Sequence, residues 1–230
     1  MGKNTNGEVG FMYVIEEGVI GGYLEQPVAF RHIKHEAKSD HLAIVLPGLG
    51  YTVDKPVLYY MTSALLEEGY DVFQVNYKYD DKDSFHDLNQ EEREEWVQTD
   101  VERSIHHALE DGRYKHFCLV GKSLGTRAMV SEMTDRKAFQ KAKTIWLTPL
   151  LDDSDVRETL RQLQQPSLLI IGSRDSHYSD NALEELYKKE NVACVKLEGA
   201  NHACEVPSNS MLSIQYLHRI IDQTKQFLKS

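Results

Sequence analysis

The stretch "CLVGKSLGTRAM", residues 118–129, concentrates residue types that do chemistry, and it admits two kinds. Gly121-Lys122-Ser123 resembles the end of a phosphate-cradling loop. Gly121-Lys122-Ser123-Leu124-Gly125 sets a serine between two glycines, as a sharp strand-to-helix turn requires. A phosphate loop needs another glycine five residues before Gly121, and that position is His116. The residues between, Phe117 to Val120, belong in a strand that runs straight into Gly121. A strand cannot curl several N–H groups around one phosphate. The nucleotide-binding reading fails on this point, and the serine at the turn remains. Ser123 also suits a helix N-cap, a purely structural use of the residue.

A serine hydroxyl is a weak nucleophile. It needs a base within hydrogen-bond reach, and the base needs a carboxylate to fix its tautomer. "SLLIIGSRD" is an apolar run ending in Asp175, and "VACVKLEGANH" ends in His202. Both groups follow segments that read as strands, so both fall at strand ends, as Ser123 does. His177 is a rival base, but it does not follow the last strand. Asp180 reads as a helix N-cap, and His106 and His107 are neighbours on one helix that cannot share a face. Asp175 alone would serve as a turn residue, and His202 alone as a loop histidine. It is the coincidence of three placements that points to nucleophilic catalysis.

The elements that must position these residues are legible in outline. Residues 11–35 read as two or three short strands with turns at Glu17-Gly18 and Gly21-Gly22. From His41 onward, apolar runs alternate with helical periods. "HLAIVL" is followed by a helix starting near Asp54 and Pro56 and closed by Gly69, then by "DVFQVNY". The segment Asp80–Glu95 is charged. Val97, Val101, Ile105 and Leu109 then recur every four residues. "HFCLV", "KTIWLTPL", "SLLIIGSRD" and "VACVKLEG" are the later strands, with helices over 123–135, 155–164, 180–189 and around Ile214–Leu228. This alternation predicts an α/β fold: a mostly parallel central sheet with helices on both faces and antiparallel N-terminal strands. No Pro/Gly/Ser-rich linker divides residues 1–230, so one domain is expected.

With the order Ser123, Asp175, His202, each beyond a strand, the chain resembles the α/β-hydrolase superfamily, in particular its small single-domain esterase-like members, over residues 40 to 228. The resemblance implies a nucleophile elbow at Ser123, a catalytic triad with Asp175 and His202, and an oxyanion hole from the backbone N–H groups of Leu49, in "PGLGY", and Leu124. It implies a serine esterase acting through an acyl-enzyme on a small-molecule acyl substrate, with no metal or cofactor. A thioesterase, a peptidase, an acyltransferase or a noncatalytic binding protein shares the same outline. Lys122 stands where such members often carry an aromatic residue or histidine, and it is expected to point away from the cleft, along the helix flank. Tyr51, Tyr77, Leu150 and Tyr178 follow strand ends and are candidate pocket residues. Residues 148–165 are filled by one helix, so the cap is minimal and an open, shallow site is expected. The charged segment Asp80–Glu95 lies on the same rim, where Tyr79, Phe85 or His86 would face substrate if it overhung the site.

Composition narrows the remaining classes. Of 230 residues, 41% are apolar, enough for one good core. The net charge is −10, from 36 acids against 26 scattered Lys and Arg, which disfavours a nucleic-acid partner. Cys118, Cys194 and Cys204 show no disulfide or zinc spacing, and Cys204 reads as a small buried residue. "MGKNTNGEVG" lacks the apolar stretch of a secretory leader, and no run is long enough to span a membrane. A cytoplasmic protein without membrane partners is the expectation; its oligomeric state is not legible.

Overall fold

The computed structural model describes residues 13–79 and 83–230; the expected strand start at Phe11 and the charged residues 80–82 lie outside them. Among the described residues the strands are β1 (Tyr13–Gly21), β2 (Pro27–His35), β3 (His41–Leu46), β4 (Asp71–Asn76), β5 (His116–Lys122), β6 (Lys143–Leu147), β7 (Ser167–Gly172) and β8 (Val192–Leu197). The helices are α1 (Pro56–Glu67), α2 (Asp83–His86), α3 (Gln90–Leu109), α4 (Leu124–Asp135), α5 (Ser154–Gln162), α6 (Asp180–Leu186) and α7 (Ser210–Lys229).

These strands form one sheet in the order β1-β2-β4-β3-β5-β6-β7-β8. β1 pairs with β2 and β2 with β4 antiparallel; the pairs from β4–β3 to β7–β8 are all parallel. The central strands are apolar without alternation because both sides of the sheet are covered. Leu42, Ile44 and Leu46 pack with Val97, Val101 and Met129, on the side of α3 and α4. Ala43 and Val45 pack with Leu58, Met61 and Ile220, on the side of α1 and α7. In a parallel sheet every strand points the same way, so the C-terminal ends of β3, β5, β6, β7 and β8 share one rim.

Local chemistry explains most element boundaries. Pro56 opens α1, where its missing N–H costs nothing, and Gly69 follows its end at φ +85°. Asn89 caps α3 by accepting from the Glu92 N–H while the Glu92 carboxylate accepts from the Asn89 N–H. One expected turn is absent. β1 runs unbroken through Glu17-Gly18, because Gly18 lies opposite Phe30, and a Cβ there would meet the Phe30 ring at 2.7 Å. That glycine makes room for an aromatic ring across the strand pair instead of bending the chain. The helices expected to reach residues 164 and 189 end earlier, at Gln162 and Leu186.

At the opposite end of the sheet from the strand C-termini, a buried polar network joins β2, β4 and the chain entering β5. The Tyr114 hydroxyl donates to Asp71 at 2.9 Å and accepts from His32 Nε2 at 3.0 Å, while Arg113 also donates to Asp71. Burial, reinforced by the charge of Lys34, pushes His32 down to about 4. The folded protein therefore resists a proton that the unfolded chain accepts near pH 6.5. Stability should fall as pH drops from about 6.5 toward 4, by up to about 3 kcal/mol. Urea titrations across that range should show the loss in the wild-type protein and a flatter profile in His32→Gln. An equal pH dependence in the two proteins would contradict the assignment.

Candidate active site

The site is built on the chain's passage from β5 into α4. Ser123 stands between them at φ +51°, ψ −117°, a conformation most side chains avoid. Its N–H donates to Leu147 O at 3.0 Å, and its side chain makes no capping hydrogen bond to α4. The structural use of serine as a helix cap is therefore not the one made here.

The two flanking glycines have separate steric reasons. A Cβ on Gly121 would lie 2.7 Å from Gly125 O, across the turn itself. A Cβ on Gly125 would lie 2.1 Å from Leu46 O and 2.8 Å from Pro47 O. The start of α4 thus passes directly over the chain leaving β3, too close for any side chain. A third glycine does the same for the loops that carry Asp175 and His202: a Cβ on Gly172 would lie 2.2 Å from Ala200 O.

Asp175 follows β7 and His202 follows β8, and the structure brings them together. His202 Nδ1 lies 2.9 Å from each oxygen of Asp175. The Asp175 side chain is fully buried, whereas the His202 ring is partly exposed. Burial by itself would raise the Asp175 carboxyl. The hydrogen bonds from His202 and the His177 N–H, with the charge of both imidazoles, more than offset it and hold the group below its ordinary value. Asp175 is therefore an anion at neutral pH, aimed at His202 Nδ1. That contact leaves Nε2 as the ring nitrogen able to take a proton. Among the described residues no hydrogen bond joins Ser123 Oγ to His202.

Ser123 opens onto a cavity of about 450 Å³ that Leu49, Leu124 and Leu150 also line. Among the described residues the N–H groups of Leu49 and Leu124 have no protein acceptor. The charged segment contributes the far wall, with Phe85, Gln90, Arg93 and Glu94. The site is a pocket between α3 and α4.

Three of the four candidate pocket residues lie elsewhere. Tyr77 is buried in the core, donating to Pro47 O at 2.5 Å and stacking on Tyr79. Tyr178 bonds Asp180 at 2.5 Å, outside the cavity lining. Tyr51 lies beneath the site, its hydroxyl accepting from the Val57 N–H at 3.2 Å. A strand end fixes where a residue starts, not which way its side chain turns, and all three rings turn away from the cavity. Tyr79 is also fully buried, bonded to Asp100 at 2.8 Å.

Lys122 is the clearest departure from expectation. It does not point along the helix flank: it is fully buried, with Nζ 2.8 Å from Thr148 Oγ1 and 2.8 Å from His202 O. Other contributors carried weak sequence signals. Asn201 folds the His202 loop by accepting from the Ala203 and Glu205 N–H groups through Oδ1, a turn use of Asn that its place after Gly199-Ala200 suggests. His177 bonds Asp152 at 2.6 Å, and its ring centroid lies 5.2 Å from that of His202. Cys204 is buried, as read.

Among the described residues two side-chain groups have metal-ligand proximity, Asp175/His177/His202 and Asp40/His41/His116. In both, hydrogen bonds within the protein already engage ligand atoms, including His41 Nδ1 to Asp40 at 2.8 Å. No helix among the described residues is long and apolar enough to cross a membrane.

A mostly parallel sheet with an antiparallel start, helices on both faces and a serine at the β5–α4 elbow define the α/β-hydrolase fold. Residues 40–229 match the family model described as an alpha/beta hydrolase domain, and the chain belongs to that family. Solved structures agree on the fold. An alpha-beta serine hydrolase homologue from Coxiella burnetii superposes with TM-score 0.68 at 17% identity, covering 92% of this chain and 96% of that one. An a/b serine hydrolase without lid from Xanthomonas campestris gives 0.67 at 17% identity, covering 94% of each chain. An esterase from Pyrococcus furiosus gives 0.64 at 17% identity, covering 99% and 96%. No curated protein matches the sequence.

The Gly125 contact makes a sharp prediction. Leu46 O and Pro47 O are backbone atoms held in the sheet and its exit loop, so neither can give way cheaply. Gly125→Ala should destabilise the fold by about 3 kcal/mol in chemical denaturation, at the upper end of core overpacking. An unchanged denaturation midpoint would mean that the elbow is looser than described.

Proposed function

We propose that the protein is a serine hydrolase of carboxylic esters or related acyl substrates, working through a covalent acyl-enzyme. The observation that carries this reading is the buried, anionic Asp175 held by both oxygens to His202 Nδ1, on the same rim as a serine in a strained elbow. A carboxylate fixed on one imidazole nitrogen leaves the other as a base and stabilises the imidazolium that forms.

In the proposed mechanism the ester carbonyl enters the cavity beside Ser123. Ser123 Oγ attacks the carbonyl carbon, and its proton passes to His202 Nε2. The oxygen that becomes negative accepts from the Leu49 and Leu124 N–H groups, which face no protein acceptor of their own. Collapse of the tetrahedral intermediate breaks the bond to the leaving group, which takes the proton from His202. Water, deprotonated by His202, then attacks the acyl-enzyme, and the acid product and free Ser123 are released. Contacts between a nucleophile and its base are often long without substrate and tighten in the complex, which accommodates the open Ser123–His202 arrangement.

The apolar lining by Leu49, Phe85, Val97, Leu124, Ala128 and Leu150 favours a short aliphatic or aromatic acyl group. Hydrolysis of short-chain p-nitrophenyl esters by purified protein tests the reading. Ser123→Ala should abolish turnover, and Asp175→Asn should lower kcat by about 10⁴-fold while the protein stays folded, because the imidazole loses its tautomer control. Undiminished turnover in Ser123→Ala would sink the assignment.

A further inference from the structure

Resting on the reading of Ser123 and His202 just given, we infer that Lys122 is a positioning residue, whose buried ammonium ties four site-bearing chain segments together and sets the His202 loop against the elbow. The argument begins with location. Lys122 is the last residue of β5 and directly precedes Ser123, yet its side chain has no solvent exposure. Among the described residues no carboxylate lies within ion-pairing distance of it. The buried cation is held by other means.

An ammonium group has three N–H donors. One reaches Thr148 Oγ1, just past β6, at 2.8 Å. A second reaches the carbonyl oxygen of His202, past β8, also at 2.8 Å. The nitrogen sits 4.4 Å from the centre of the Tyr51 ring, in the loop after β3, where a cation meets the negative face of the aromatic. Tyr51 is itself tied to the neighbouring backbone, since its carbonyl accepts from the Gly48 N–H at 3.3 Å. Lys122 therefore touches the segment that carries the base and the loop that carries Leu49, while its own backbone leads into the nucleophile.

A second feature points the same way. Thr148 sits at φ +43°, a left-handed conformation that a β-branched residue rarely adopts. In that conformation its hydroxyl accepts from Lys122 Nζ, and its N–H donates to Ile170 O at 2.7 Å. Strain of this kind persists only where the surroundings over-determine it, and it gathers at functional sites. Burial lowers the Lys122 ammonium from its ordinary value, while Cys204 and Asp175 act in the opposite direction. A side chain that served packing alone would fill this space without a polar tip. The Nζ donors serve instead to hold a main-chain carbonyl, that of His202, which no side-chain change in His202 would remove.

The test compares the wild-type chain with Lys122→Met, which keeps length and apolar bulk, and Thr148→Val, which leaves the bond to His202 in place. The readouts are the steady-state constants for a short-chain p-nitrophenyl ester and the amide hydrogen exchange of residues 199–206. Lys122→Met should lower kcat about 100-fold with KM changed less than threefold, the effect expected of a base misplaced by about 1 Å. Exchange in 199–206 should rise at least tenfold, with the rest of the sheet unchanged. Thr148→Val should lose less than tenfold in kcat. If Lys122→Met does not fold, Lys122→Gln replaces it under the same criteria. A folded variant with wild-type kcat and wild-type exchange over 199–206 overturns the inference and leaves Lys122 as core filling. If the wild-type protein turns over no ester, it is the function proposed above that fails; the exchange comparison still decides Lys122, with unchanged exchange counting against it.

Discussion

The site depends on one close approach: the first turn of α4 crosses the chain leaving β3 with no space between backbones. A single Cβ on Gly125 would overlap Leu46 O. Because the two backbones touch, the residue before Gly125 and the loop after Pro47 are brought to opposite sides of one small space. Leu124 and Leu49 line that space, and Ser123 is turned into it at positive φ. Gly172 against Ala200 repeats the device further along the sheet, where it brings the Asp175 and His202 loops together. Backbone contact is the least adjustable packing in a protein, since neither partner has a rotamer to change. A geometry that must hold to a fraction of an ångström is therefore built from glycines.

Around this fixed frame the polar groups complete one another. Burial alone would raise Asp175. His202 and the His177 N–H make it an anion, and the anion in turn orients His202. Asn201 closes the same loop from within through its side-chain oxygen. Lys122 reaches the loop from beneath through the His202 carbonyl. His202 is thus held at its ring from the loop after β7 and at its own main chain from the end of β5, while Asn201 braces the loop from within.

Much of this was legible in the sequence, for reasons that particular residues make clear. The parallel sheet was readable because buried central strands lose the alternation of half-exposed ones, as in "HLAIVL" and "SLLIIG". Ser123, Asp175 and His202 were readable because strand ends in a parallel sheet share one rim, so chain position alone brings them near each other. Side-chain direction was less accessible. Tyr51, Tyr77 and Tyr178 stand just past strand ends, yet their rings turn into the core or out to the surface, since a loop residue's direction is set by local φ/ψ that strand period does not govern. Lys122 was misjudged for a related reason. Lysine is almost never fully buried without a paired charge, and only the three-dimensional arrangement supplies the hydroxyl, carbonyl and aromatic face that replace one. Gly18 looked like a turn because the ring it accommodates belongs to a strand twelve residues away.

The central claim is that Ser123 is an activated nucleophile, and a covalent probe addresses it most directly. The purified wild-type chain, treated with a small fluorophosphonate, should gain the mass of one phosphonyl group, mapped by peptide fragmentation to Ser123 and blocked by a competing short-chain ester. Folded protein that gains no mass, or gains it at another residue, would contradict the account.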